Sequence, residues 1–237
     1  MIMCGRFSLT TPIEALRKLF GFSESPNLFP RYNIAPSTPI AAVRKHPHPT
    51  ETGNQLFFPR WGLIPSWAKD SSLSARMINA RMETVSEKPA FRGAFKAHRC
   101  LIPVTGFYEW KTEDNGQKQP YFIHQQGQET FALAGLWERW QSPDNDLVES
   151  CTILTMPAAG PIRALHHRMP VTVQPDLFGT WLSGNDRDSL PGPARQIPLA
   201  CYPVSNKVGN VQNDSPDLMN PVSLTDKPQA PKQQALF

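Results

Sequence analysis

Apolar residues along this chain follow two spacings, and the change between them divides it. Near the start, Ile13, Leu16, Leu19 and Phe20 recur at helical intervals just after Thr11-Pro12-Ile13-Glu14. That tetrapeptide reads as a capping box with proline at the first helical position, so a short amphipathic helix is predicted there. Residues 21 to 60 are rich in proline and turn formers, and Arg31-Tyr32-Asn33-Ile34-Ala35-Pro36 leads into a predicted strand at Ile40 to Arg44. His46 and His48 lie in His-Pro-His-Pro, read as an exposed loop. Residues 84 to 98 are predicted helical, with Phe91 and Phe95 one turn apart and Pro89 in the opening turns.

From Cys100 onward the period shortens. Runs at Leu101 to Lys111, Pro120 to His124, Phe131 to Trp137, Cys151 to Thr155 and Val171 to Val173 read as strands, and Asp114-Asn115-Gly116 is a hairpin signal between the first two. A small helix at Pro175 to Leu182 and a last strand at Leu199 to Val204 complete the predicted elements. Hairpin-linked strands with few helices predict an α+β fold on antiparallel sheet rather than alternating βαβ units. No internal repeat is present. After about Leu224 the chain turns polar and proline-containing, which predicts a disordered tail.

Composition narrows the classes. The 237 residues suffice for one ordinary domain with a substantial core. No apolar run approaches the ~18 residues of a membrane span, and Met-Ile-Met-Cys-Gly-Arg lacks the basic-then-apolar pattern of a signal peptide. A soluble, cytoplasmic protein without a membrane partner is expected. Cys4, Cys100, Cys151 and Cys201 form no C-x-x-C pair, which argues against a disulfide framework or a structural zinc site. The formal net charge of +4 permits a polyanionic partner without requiring one.

Candidate chemistry centres on Cys4. If the residues before it were removed, a free α-amine would stand beside its thiol, and such a pair can form an imine with an aldehyde and close it into a five-membered thiazolidine. Cysteine is also a common inert core residue. Asn79, in Asn79-Ala80-Arg81-Met82-Glu83-Thr84, either presents an amide at the end of a buried segment or caps a turn. Glu109 lies in Gly106-Phe107-Tyr108-Glu109-Trp110. Alternation places it on the Phe107 face, where desolvation would raise its pKa into the range of a general acid, unless it faces solvent and pairs with Lys111 or Lys118. In His166-His167-Arg168-Met169-Pro170, His166 is the stronger acid–base candidate because Leu165 and Pro170-Val171 suggest a turn at the core's edge. Arg6, Arg81 and Arg168 stand within a few residues of these groups and suit phosphate recognition. Trp67 is a candidate for stacking on bases, whereas Trp61 is read as core. The chain has no Gly-rich phosphate loop, H-E-x-x-H or G-x-S-x-G.

Together with Cys4-Gly5-Arg6-Phe7, Trp61-Gly62-Leu63-Ile64-Pro65 and Val204-Ser205 through Gly209-Asn210-Val211, these segments resemble the SRAP family, the SOS response-associated peptidase or abasic-site-processing proteins. The resemblance implies one compact domain over residues 1–223 on a mostly antiparallel, barrel-like sheet, with no cofactor. It implies a monomer that shields abasic sites in single-stranded DNA by covalent attachment through its N-terminal cysteine. The family's catalytic cysteine, asparagine, glutamate and histidine match Cys4, Asn79, Glu109 and His166, and its DNA-contacting arginines match Arg6, Arg81 and Arg168. Family members place cysteine directly after the initiator methionine, whereas Met1-Ile2 precede Met3 here. An alternative is a cysteine peptidase or amidohydrolase using Cys4, Glu109 and His166, with its own leader as one substrate. A noncatalytic single-strand binder would need only the arginines and tryptophans. Finally, Gln233-Gln234-Ala235-Leu236-Phe237 resembles the Q-x-x-L-F peptide that docks on the bacterial sliding clamp, with Gln233, Leu236 and Phe237 as its anchors and residues 224–237 as its tether.

Overall fold

A computed structural model describes residues 4–47, 52–184 and 191–224. The leader Met1 to Met3, His48 of the His-Pro loop and the clamp-type peptide at Gln233, Leu236 and Phe237 lie outside the described residues. The first half carries β1 (Phe7–Leu9), β2 (Arg31–Ile34), β3 (Ala42–Lys45), β4 (Asn54–Phe57), β5 (Arg60–Trp61) and β6 (Asn79–Arg81). The second carries β7 (Arg99–Val104), β8 (Gly106–Thr112), β9 (Lys118–Gln125), β10 (Phe131–Gln141) and β11 (Leu147–Pro157), then β12 (Arg168–Pro170), β13 (Thr172–Val173) and β14 (Leu199–Pro203). Three short helices, α1 (Ile13–Phe20), α2 (Arg92–Ala97) and α3 (Phe178–Ser183), lie among them.

The strands form two sheets. One runs β14-β9-β8-β1-β2, and the other runs β12-β11-β10-β7-β3-β4 with β13 added on β10 and β5 and β6 added on β11. Pairing is antiparallel except for β5 and β6, which run parallel to β11. The Asp114-Asn115-Gly116 turn closes the β8–β9 hairpin, with Gly116 at φ 78°, where glycine is the residue without a steric penalty.

Alternation along β8 sends Phe107 into the main core, shared with Phe7, Trp61 and Ile153, and Tyr108 into a smaller cluster with Phe122, Val204, Val208 and Leu218. That second cluster is capped by the segment after β14, which lies over the outer face of the five-stranded sheet. Trp61 joins the layers. Its ring meets Phe7 at 5.1 Å, and its indole N–H donates to the Ile78 carbonyl at 2.9 Å, just before β6.

Local chemistry departs from the sequence expectations in two places. The capping box at Thr11 does not form: Pro12 is the N-cap without a side-chain bond, and the Thr11 hydroxyl instead bonds Thr130 in the interior. The helix expected over 84 to 98 is regular only from Arg92 to Ala97. Proline at 89 has no N–H to extend a ladder, and Thr84 to Phe91 form successive turns instead.

Because Trp61 is fully buried and holds the entry to β6, Trp61→Ala should lower unfolding free energy by ~3–5 kcal/mol. Urea denaturation followed by circular dichroism measures this, and a loss below ~1 kcal/mol would contradict the joining role.

Candidate active site around Cys4

Cys4 is wholly buried, and its backbone nitrogen donates to Glu109 Oε1 at 2.7 Å. It is one of three non-glycine residues with positive φ among the described residues, at 36°. Glu109 is 3% exposed, on the same face of β8 as Phe107, and no cation pairs with it among the described residues. Lys111, which might have neutralised it, pairs with Glu113 at 3.1 Å instead. Burial therefore dominates, raising the Glu109 pKa from its ordinary 4.5 to about 7, while the N–H groups of Cys4 and Trp110 pull it back in part. Burial also pushes the Cys4 thiol well above its ordinary value, and the Glu109 charge adds to the effect. The thiol is thus neutral near pH 7, and a nitrogen at Cys4 is the group presented to the carboxyl.

His166 ends the turn after Gly160–Ala164 and is 7% exposed, whereas His167 faces solvent. His166 Nδ1 faces the backbone of Arg168, 3.1 Å from its N–H and 3.3 Å from its carbonyl; where it accepts from the N–H, the neutral ring carries its proton on Nε2. Burial lowers the His166 pKa, which favours that neutral form. Nε2 is buried without a hydrogen-bond partner among the described residues. An N–H in that position is set to donate to something the protein itself does not supply. His166 lines a cleft of about 610 Å³ with Trp110, Lys111 and Arg163, which places it beside the strand that carries Glu109.

Arg168 differs from the sequence expectation. Its guanidinium is buried and grips the Glu83 carboxylate with both Nη1 and Nη2, the latter at 2.9 Å, and Nη2 also donates to the Thr155 carbonyl at 2.7 Å. Its charge is compensated internally, so its observed contacts tie β12 to β11 and to the turn after β6 rather than leaving a free grip for phosphate. The Arg168 contact correspondingly lowers the Glu83 pKa.

β11 brings the remaining groups to this end of the molecule. Asn79 pairs with Ile153 and Arg81 with Thr155 on one side of β11, while Pro170 pairs with Thr155 on the other. Asn79 and Arg81 line a cleft of about 590 Å³ with Trp67, Lys88 and Phe91. Trp67 is 60% exposed because its loop is fixed on both sides of it. Ile64 N–H bonds Ser150 Oγ at 2.8 Å, and the Trp140 indole bonds the Ala68 carbonyl at 2.7 Å. Arg6 is held separately, by Asn33 Oδ1 at 2.9 Å and the Val208 carbonyl at 3.0 Å, with its Cζ 6.0 Å from the Trp110 ring. Asn33, Glu83 and Lys88 were not picked out from the sequence. Arg31-Tyr32-Asn33 was noticed as a motif, but nothing in its spacing points to a partner at Val208.

One consequence of the Glu109 environment is a pH-dependent stability. Its folded pKa lies above the unfolded one, so the stabilisation is complete below pH about 4.5 and is lost as pH rises through about 7. Glu109→Gln stays neutral throughout. It should become more stable relative to the parent chain across that window, by ~2–3 kcal/mol at pH 8. Urea midpoints of both chains at pH 5 and pH 8 test this, and an unchanged difference would contradict the desolvated carboxyl.

The family model for SOS response associated peptidase (SRAP) matches residues 3–211. "Abasic site processing protein YoqW" of Bacillus subtilis (strain 168) is 37% identical over 225 residues, covering 92% of this chain and 99% of that protein. "Abasic site processing protein HMCES" of Gallus gallus is 29% identical, covering 94% and 79%. A crystal structure of a protein from Bacteroides thetaiotaomicron superposes with a TM-score of 0.79 over 93% of this chain and 100% of that one, and its 22% identity bears on the fold alone. With a family model spanning residues 3–211, and a 37% identical relative covered over nearly its whole length, the chain belongs to the SRAP family.

Proposed function

We propose that this protein captures abasic sites in single-stranded DNA as a covalent conjugate through Cys4. The observation that carries this reading is the 2.7 Å contact between the Cys4 nitrogen and a carboxyl whose pKa lies at about 7. An abasic deoxyribose is mostly a closed hemiacetal. Opening it requires a proton on the ring oxygen O4′ and loss of the C1′ hydroxyl proton, and Glu109 is placed to give the first. The Cys4 amine then forms a bond to C1′, and water leaves to give the imine. The Cys4 thiol adds across that C=N bond, its proton passing to nitrogen, and the thiazolidine closes. One water is released overall. The Nε2–H of His166 supports the reading as a donor to the sugar oxygens or the departing water. Asn79 would orient the sugar, while Arg6, Arg81 and Trp67 would hold the flanking strand.

The amine must first be free, because Cys4 is an amide while Met1 to Met3 are attached. Initiation at Met3 followed by methionine removal is one route. The same contact favours a second reading, in which the leader is cleaved in place. In that hydrolysis a water would add to the Met3 carbonyl carbon, leaving Met3 as a carboxylate, while a protonated Glu109 beside the Cys4 nitrogen donates to the departing amine, and the left-handed φ of Cys4 adds strain there.

Incubation with single-stranded DNA carrying one abasic site tests the main reading. A denaturation-resistant conjugate is expected, with the mass of the chain from Cys4 plus DNA less one water. Cys4→Ala should form none, and Glu109→Gln should slow formation by ~10²–10⁴-fold while DNA binding persists. His166→Ala should slow both formation and reversal. A conjugate formed at full rate by a chain that retains Met1 to Met3 would refute the mechanism. Peptide cleavage without a conjugate would favour the peptidase, and salt-sensitive binding alone would leave only a single-strand binder. Arg81→Ala should weaken binding and reduce the slope of log K against log salt by about one.

The peptide at Gln233 to Phe237 supports recruitment to a bacterial sliding clamp, with Leu236 and Phe237 filling an apolar groove. The full chain should bind purified clamp, and a chain ending at Lys232 should not. Equal affinities would refute this recruitment.

A further inference from the structure

Asn33 has no part in the chemistry above, yet the framework of the site meets at its side chain. It lies on β2, 4% exposed, with Oδ1 accepting from Arg6 Nη1 at 2.9 Å. Its Nδ2 lies 3.2, 3.0 and 2.7 Å from the carbonyls of Val208, Asn210 and Asn213, which share its two hydrogens. Its own N–H donates to the Asp214 carboxylate at 3.0 Å. One amide therefore fixes both Arg6 and the chain from 208 to 213 that passes over it.

The Arg6 guanidinium is held on one edge only. Nη1 donates its two hydrogens to Asn33 Oδ1 and, at 3.0 Å, to the Val208 carbonyl. Nη2 gives one to the Gly209 carbonyl at 3.4 Å. Among the described residues nothing accepts from the Nε–H or the second Nη2–H, and these make up the side-on edge, the pair of parallel donors that matches two oxygens of a phosphate. All three acceptors are neutral, and no carboxylate forms an ion pair with Arg6 among the described residues. Arg168, in contrast, has Glu83. Arg6 thus keeps an uncancelled positive charge in a fixed orientation, beside the Trp110 ring that lines the His166 cleft.

We infer that Asn33 is a positioning residue that turns Arg6 into a preorganised side-on grip for a DNA phosphate. This rests on the single-stranded DNA reading above. A charged partner in place of Asn33 would have fixed Arg6 equally well and cancelled the charge it needs, whereas a neutral amide fixes it and leaves the charge available.

Two measurements test the inference in the full chain. In DNA-free protein, nitrogen-detected NMR should show slowed rotation of the Arg6 Nη groups that becomes fast in Asn33→Ala. With single-stranded DNA, Asn33→Ala should bind several-fold more weakly with the salt slope reduced by about one, while the conjugation rate at saturating DNA changes far less. The Asn33→Ala/Arg6→Ala double variant should bind no worse than Arg6→Ala alone. Asn33→Ser serves if the alanine variant does not fold. Asn213→Ala, which loses the bond to Lys207 O in the same segment, controls for a general loosening and should leave the salt slope unchanged. Unaltered Arg6 dynamics in the Asn33 variants, or additive losses in the double variant, would overturn the positioning role while leaving the DNA reading intact. A parent chain that neither binds nor conjugates DNA would overturn both.

Discussion

A carboxyl group deprived of water and of any cationic partner meets a backbone nitrogen at the start of the chain, and the site is arranged around that contact. Glu109 keeps a substantial protonated fraction near neutral pH because ionising it inside the core is unfavourable, and the N–H of Cys4 offsets only part of that penalty. The same burial suppresses the Cys4 thiolate. The carboxyl and the Cys4 nitrogen are thus held in contact while the thiol beside them stays protonated. Freeing the amine would place a potential cation against the carboxyl, and the two would then share one proton and titrate as a unit.

The arginines show how one residue type is used in two ways by its neighbours. Arg168 is a structural tie, its charge paired with Glu83 and its Nη2 also bound by Thr155, while its Nε is buried without a partner among the described residues. Removing Glu83 would strand the buried charge of Arg168. Arg6 is fixed by neutral oxygens and keeps its field. Arg81 stands exposed at the end of β6, near Trp67 and Lys88. The charge these arginines leave available thus depends on their partners as much as on a modest net charge of +4.

Much of this was legible in the chain because the signals were local. The period-two runs, the Asn115-Gly116 turn and the alternation that sets Glu109 beside Phe107 depend on neighbours a few residues apart. The burial of His166 rather than His167 followed from adjacent apolar residues. The failures were tertiary. Thr11 has the chemistry of a cap, but an interior hydroxyl at Thr130 competes for it. The commitment of Arg168 to Glu83, 85 residues away, and of Arg6 to Val208 has no counterpart in spacing or composition. Asn33 was visible as part of a motif and invisible as a hub for the same reason.

The parallel pairing of β5 and β6 with β11 has a consequence for the order in which the molecule assembles. β5 is synthesised 90 residues and β6 74 residues before the edge that receives them, and Cys4 is separated from Glu109 by 105 residues. Contacts of such long range close slowly and late. On a ribosome, Asn79 and Arg81 would wait without a template until β11 emerged, and the nitrogen of Cys4 would meet its acid only after β8 had left the tunnel. A nascent chain, or one broken before β11, therefore carries Cys4 without the strand that receives Asn79 and Arg81, so the arrangement around it is withheld until the fold is nearly complete.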